Sequence, residues 1–231
     1  MNKHSNFHIK KDNVFEVKEL FKDISKLVKV KYRNKTSELD ILDLGCASGE
    51  LAYFLKNDLQ SSGKVWGLDI SRELIKNAKQ RFGGSNVKFF AADAYNFKTD
   101  VKFDVVTMTS VLSYFDDPFP AIKNLLNLLK DDGIAVISGI FNPWNIDVKL
   151  NFRVQGDTGW ENFHQFSLSR IQKFITDAGY VCRISEQIMP FDIPMKENLL
   201  RSWTVNLDGN RYMMNGLQLA YNIRILQITK K

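Results

Sequence analysis

Two glycines and three carboxylates carry the most specific chemical pattern in this sequence. Residues 40–51 read Asp-Ile-Leu-Asp-Leu-Gly-Cys-Ala-Ser-Gly-Glu-Leu, with Asp43 inside an apolar run and Gly45 and Gly49 after it. A buried strand, a tight glycine turn and a helix N-terminus, in that order, bring backbone N–H groups close to a ligand. Asp43 within the apolar run is costly unless its carboxylate has partners. A second short run, residues 64–69, ends in Asp69, and a third, residues 87–93, ends in Asp93. An acid at the end of the second strand, roughly 20 residues past the glycine turn, can accept both hydroxyls of a ribose. Asp93 suits a contact to the exocyclic amine of an adenine. Glycine loop, acid and acid at three successive strand ends point to an adenosine-containing cofactor. Cys46, Ala47, Ile70, Ala92, Ala94 and Thr109 are the neighbouring candidates for its walls. Taken alone, the first stretch also fits an ordinary strand-to-helix turn.

The same residues resemble class I S-adenosylmethionine-dependent methyltransferases. Asp43, Gly45 and Gly49 with Asp69 and Asp93 are similar to the family's first three motifs. Residues 103–109, Phe-Asp-Val-Val-Thr-Met-Thr, followed by residues 110–118, resemble the fourth. Residues 128–138 resemble the helix, glycine turn and fifth strand that come next. The resemblance covers residues 40–140 and implies S-adenosyl-L-methionine as cofactor; it says much less about the methyl acceptor. A dinucleotide dehydrogenase is the nearest competitor for such a fold, but its fingerprint wants Gly-x-Gly-x-x-Gly, and here Ala47 holds the middle position.

A sulfonium cofactor carries its own leaving group, so the protein mainly aligns a nucleophile and excludes water. A hydroxyl acceptor also calls for a base. His164, the one histidine beyond the N-terminal segment, is the candidate base; the competing expectation is a packing or capping role before the next helix. Tyr114, on the lip after the fourth strand, is placed to touch the methionine moiety or the acceptor, or to serve as an aromatic wall. The resemblance splits by acceptor. Enzymes methylating nucleobase or glutamine nitrogens carry Asn/Asp-Pro-Pro-aromatic after the fourth strand, where this chain has Thr-Ser-Val-Leu at residues 109–112. No acidic set with ligand spacing marks a magnesium enzyme, so no metal is expected. Small-molecule acceptors remain. Residues 141–147, residues 160–167 and the segment around Trp203 are similar to methyltransferases of bacterial surface-polysaccharide (capsule) clusters. That likeness implies sugars, nucleotide-sugars or phosphoramidate-bearing precursors. Trp144, Trp160 and Trp203 would then wall a sugar, and the guanidinium forks of Arg153, Arg201 and Arg211 would meet phosphate oxygens. Two alternatives stay open: a non-catalytic cofactor-binding partner protein, and an RNA methyltransferase drawing on the basic first segment.

These residues need a scaffold of alternating strands and helices. The pattern predicts an α/β fold with a doubly wound, Rossmann-like sheet of about seven strands, mostly parallel with the last antiparallel. One domain over residues 1–231 is expected. Residues 1–38 would form a helical cap, residues 39–140 the cofactor core, and residues 141–231 the substrate side. A helix capped by Asp12 is predicted over residues 13–32, from the apolar stripe Val14, Val17, Leu20, Phe21, Ile24, Leu27 and Val28. Ser71 and Ser167 are predicted N-caps, and Gly83-Gly84 a helix stop. Residues 131–133 are predicted to turn the chain into a fifth strand over residues 134–140. Residues 141–166 lack periodicity, which in a compact domain is often functional. Leu-Asp-Gly-Asn at residues 207–210 is a hairpin signal, read as an insertion near the substrate mouth. The net charge of +6 sits largely in the first 35 residues and fits a solvated helix face better than a nucleic-acid surface. No apolar run approaches the roughly 20 residues of a membrane span, so no membrane association is expected. Two cysteines without framework spacing fit a reducing cytoplasm.

Overall fold

The structure, a computed structural model, describes residues 18–84, 86–195, 197–198 and 200–231. Seven strands form its main sheet: β1 (Ile41–Leu44), β2 (Val65–Asp69), β3 (Val87–Ala91), β4 (Phe103–Thr109), β5 (Leu129–Ile140), β8 (Tyr180–Glu186) and β12 (Ile223–Lys230). Their order is β3-β2-β1-β4-β5-β12-β8. The first five pair in parallel, and β12 inserts antiparallel between β5 and β8, as the sequence leads one to expect. The winding reverses between β1 and β4, and ligands of open α/β sheets bind at the carboxyl ends of the strands at such a switch point.

Side chains alternate between two cores, as a strand's period of two requires. Ile41, Val65, Val105, Ile134, Val136 and Ile225 face the layer of α1 (Glu19–Lys31), α2 (Glu50–Asp58) and α3 (Arg72–Phe82). Leu42, Leu44, Val106, Ala135, Ile137 and Leu226 face α4 (Phe119–Leu128) and α5 (Leu168–Asp177). Each fully buried aliphatic side chain contributes about 1.5–3 kcal/mol, so both layers stabilise the sheet. Ser71 caps α3 by accepting from the Leu74 N–H, and Ser167 caps α5 by accepting from the Arg170 N–H. α3 ends at Phe82, before the glycine pair.

Three expectations shift. Lys18 takes an extended conformation, and α1 begins at Glu19; Asp12, Val14 and Val17 lie outside the described residues. Leu20, Phe21, Ile24 and Val28 are buried as the stripe predicts. β5 starts at Leu129, because that residue pairs with Phe103 before a register irregularity absorbs Asp131 and Asp132. The irregular stretch after β5 folds back as a short ribbon, β6 (Asn151–Phe152) against β7 (Glu161–Asn162), with a bridge at Val148 and Gln165.

The hairpin forms as β9 (Trp203–Leu207) and β10 (Asn210–Met214). Asp208 and Gly209 both have positive φ, 50° and 77°, the backbone of a type I′ turn. A third short strand, β11 (Ala220–Tyr221), pairs with β10 and was not foreseen. Among the described residues no helix is long and apolar enough to cross a membrane.

Candidate active site

The glycine loop between β1 and α2 is built by two backbone conformations that favour glycine. Gly45 has φ +77°, and a Cβ there would lie 2.3 Å from a Val111 methyl. Gly49 has φ +83°, caps α2, and would press a Cβ against the Phe89 ring at 2.7 Å. The Gly45 and Cys46 N–H groups both donate to the Leu68 carbonyl, at 2.7 and 2.8 Å, which ties the loop to β2. Cys46 is buried, and burial pushes its thiol well above the usual range, so it serves as packing.

Asp69 closes the loop from the other side. One carboxylate oxygen accepts from the Ala47 N–H at 2.9 Å and the other from the Ser71 N–H at 2.8 Å. A carboxylate oxygen can accept more than one bond, so these contacts hold the acid in place while it still faces the cavity. Asp93 is held likewise, one oxygen accepting from the Tyr95 N–H at 2.9 Å.

A cavity of about 430 Å³ opens over these strand ends. Asp43, Gly45, Cys46, Ala47, Asp69, Ile70, Ala92, Asp93, Ala94 and Thr109 all line it, whereas Gly49, the N-cap of α2, does not. The first turn of α1 also reaches the rim through Lys18 and Phe21, and Lys18 pairs with Glu50 at 3.9 Å.

Asp43 is 1% exposed. One oxygen accepts from the Thr107 hydroxyl at 2.7 Å, and the other has no hydrogen-bond partner among the described residues. A buried carboxylate oxygen left without a partner costs about 1–3 kcal/mol or more, so a ligand bearing a cationic or N–H group fits here. Burial raises the Asp43 pKa from 3.8 to about 7, Thr107 opposes that shift, and Asp69 adds to it.

A carboxyl whose folded-state pKa is raised adds stability that is fully present below its unfolded value and lost as pH rises through the folded one. The ligand-free fold therefore loses this term between about pH 4 and pH 7. A cationic ligand prefers the ionised form. Affinity for S-adenosylhomocysteine, whose ammonium is positive, should rise with pH through about 7 and then level off. Calorimetry at several pH values checks this, and Asp43→Asn should flatten the profile.

The other half of the cavity comes from the stretch that resembles the fourth motif and from later elements that sequence motifs do not mark. Val111, Tyr114 and Phe115 stand on the turn after β4, Gln187 and Met189 follow β8, and Ile193, Arg201 and Met213 come from the connector and hairpin. Tyr114 and Arg201 are thus the two acceptor-side candidates brought to the cavity. Burial, with Glu161 and Tyr221 nearby, holds the Tyr114 phenol up at about 12 while Arg201 pulls it down.

The others do not reach it. Trp144 and Trp160 are 71% and 66% exposed, and Arg153 stacks on the Trp160 ring. Arg211 donates to the Met189 carbonyl and pairs with Asp192. Trp203 lies in β9 but does not line the cavity. The three rings and two of the three guanidinium forks are therefore surface and scaffold features.

His164 also stands apart from the cavity, at 1% exposure. Its backbone N–H donates to the Ser113 carbonyl at 2.7 Å, its Nδ1 accepts from the Leu150 N–H at 3.1 Å, and its Nε2 faces Asp116 at 3.4 Å. Nδ1 as acceptor puts the proton on Nε2, so no lone pair faces the acceptor half, and a base role does not fit. The ring instead fastens the ribbon to the turn that carries Tyr114. Asn162 assists by donating to the Asp116 carboxylate at 3.0 Å. His164→Ala removes the acceptor of the part-buried Leu150 N–H, at a cost of up to about 1–3 kcal/mol. The expected result is a lower Tm and a raised acceptor KM, with cofactor Kd unchanged. A base would instead show a kcat loss of about 10²-fold or more.

Among the described residues, no group of three or more His, Cys, Asp or Glu side chains could hold a metal ion.

A methyltransferase-domain family model matches residues 35–173, more than half of the chain. The malonyl-[acyl-carrier protein] O-methyltransferase of Acetivibrio thermocellus is 33% identical over 102 residues, covering 44% of this chain and 36% of that protein. The juvenile hormone acid O-methyltransferase of Bombyx mori is 31% identical over 140 residues, covering 59% of this chain and 48% of that protein. The chain thus spans less than half the length of these curated relatives. The crystal structure of magnesium protoporphyrin IX methyltransferase from Synechocystis PCC 6803 with bound SAH shares the fold, with a TM-score of 0.61 at 18% identity, covering 92% of this chain and 82% of that one. The family match contains the glycine loop and both strand-end acids and stops before Gln187 and Arg201. The chain belongs to the methyltransferase domain family, with the class I S-adenosylmethionine-dependent fold and S-adenosyl-L-methionine as its cofactor.

Proposed function

We propose that this chain methylates an oxygen of a small, largely apolar acceptor, and that this oxygen belongs to a carboxylate. When bound, S-adenosylmethionine supplies an electrophilic methyl group on its sulfonium. Asp43, the Gly45 turn, Asp69 and Asp93 are the residues that would hold it. The carrying observation is the chemistry of the acceptor half: Val111, Phe115, Met189, Ile193 and Met213 make it apolar, and its ionisable lining groups, apart from Lys18, Glu19 and Glu50 at the start of α1 and α2, are Tyr114 and Arg201. Tyr114, with its pKa at about 12, stays protonated at neutral pH and is a poor base. A carboxylate arrives already ionised and needs no base; the site has only to orient it and exclude water. Arg201 offers the matching positive charge. Both curated relatives reported above are named as O-methyltransferases, and one is named for an acid.

The sugar-phosphate acceptor implied by the capsule likeness draws less support. Its expected aromatic walls, Trp144, Trp160 and Trp203, do not line the cavity, and Arg201 is the one expected phosphate fork that does.

Apolar acids assayed beside chain-matched alcohols and amines test the proposal. Acids should give the highest kcat/KM, and Arg201→Ala should raise their KM with little change in kcat, the mark of lost ground-state binding. Preference for the alcohols, or an unchanged KM in the variant, would contradict it.

A further inference from the structure

The acceptor half contains one polar group that nothing so far explains. Gln187 is 8% exposed and lines the cavity directly after β8. Its backbone is fixed, its N–H donating to the Ile223 carbonyl at 2.9 Å, so the side chain is aimed by the β8–β12 pairing rather than by a mobile loop. The side-chain carbonyl, Oε1, is buried and has no hydrogen-bond partner among the described residues. Met189, Ile193, Met213 and Ile223, which line the same cavity, are apolar and offer no side-chain donor.

An unpartnered buried carbonyl lowers stability relative to an apolar side chain of the same shape. Glutamine at such a point becomes favourable once a ligand brings a donor. The residues that would hold the cofactor stand elsewhere: the glycine loop, Asp69 and Asp93 lie at the ends of β1 to β3, whereas β8 is the opposite edge of the sheet.

We infer that Gln187 is a specificity-determining residue that accepts a hydrogen bond from a hydroxyl carried on the apolar body of the methyl acceptor. The inference rests on the proposed apolar-acid acceptor and narrows it to hydroxylated acids. A site built around a buried polar group rejects analogues lacking the matching donor far more strongly than an apolar pocket rejects one with an extra hydroxyl. The carboxylate contact and the hydroxyl contact would then fix the acceptor at two points.

The test is binding to protein saturated with S-adenosylhomocysteine, measured by calorimetry. The probes are decanoic acid, its singly hydroxylated isomers, and the methyl esters of each. Wild type should bind at least one hydroxylated isomer on the order of tenfold or more tighter than decanoic acid. Gln187→Met and Gln187→Leu should abolish that preference, leave cofactor Kd level, and keep or raise the ligand-free Tm. A purely structural glutamine would lower Tm in both variants and leave any preference intact. Absence of a hydroxyl preference in wild type, including absence of binding by every probe, overturns the inference, as does a preference that survives in both variants. Esters binding as well as acids, with the hydroxyl preference still dependent on Gln187, would overturn the carboxylate assignment alone.

Discussion

Gly45→Ala is expected to destabilise the fold by roughly 2–5 kcal/mol and to weaken the cofactor with it. Two independent effects combine. An L-residue in the left-handed region costs roughly 1–2 kcal/mol, and Gly45 sits at φ +77°. The new Cβ would also fall 2.3 Å from a Val111 methyl, and forcing an extra carbon into a packed site costs about 1–3 kcal/mol. Val111 is β-branched and has few rotamers to retreat into. It also lines the cavity, so its displacement intrudes on bound ligand as well. Adding Val111→Ala should recover the packing part and leave the backbone strain. Thermal unfolding and S-adenosylhomocysteine titration of the single and double variants separate the two. No loss of Tm in Gly45→Ala would show that the turn does not need glycine.

Asp69→Ala is expected to lower S-adenosylhomocysteine affinity by tenfold or more. Hydrogen bonds to a charged group are worth about 1.5–3 kcal/mol each, and a ribose offers two hydroxyls to this carboxylate. Part of the loss would come indirectly, because the Ala47 and Ser71 N–H groups lose their acceptor and the loop loosens. A ligand lacking the 2′-hydroxyl distinguishes the contributions. It should bind wild type more weakly than the parent ligand but bind Asp69→Ala equally, the pattern of a coupled pair in a double-variant cycle. An equal penalty in both proteins would place the ribose elsewhere.

The cofactor half was legible because its chemistry is local. Strand, glycine turn and helix start are adjacent in sequence, Asp69 and Asp93 each end an apolar run, and Asp43 sits one residue before the end of its own, so spacing alone brings the three to one edge. The hairpin was legible for the same reason: Asp208-Gly209 states its turn type. The acceptor half is assembled from the 3₁₀ turn at Leu112–Tyr114, from the connector after β8, and from β10. Its members carry no common period, and only the tertiary fold joins them. Gln187 could not be told from a surface glutamine, since its burial depends on β12 inserting beside β8. His164 misled for a related reason. A lone histidine in an irregular stretch looks available, yet here the Leu150 N–H and the Asp116 carboxylate occupy its two ring nitrogens. The tryptophans misled because Trp144 and Trp160 lie outside the paired residues of the ribbon and remain at the surface.

The most direct test of the central claim follows the methyl group itself. The protein is incubated with methyl-labelled S-adenosylmethionine and a hydroxylated decanoic acid, and the product is treated with mild alkali. Methyl transfer to a carboxylate gives an ester, so the label should be released as volatile methanol, and Asp69→Ala should reduce the yield in step with its weakened cofactor binding. Label that enters the product but resists alkali would contradict the carboxylate assignment, and transfer undiminished in Asp69→Ala would contradict the cofactor site.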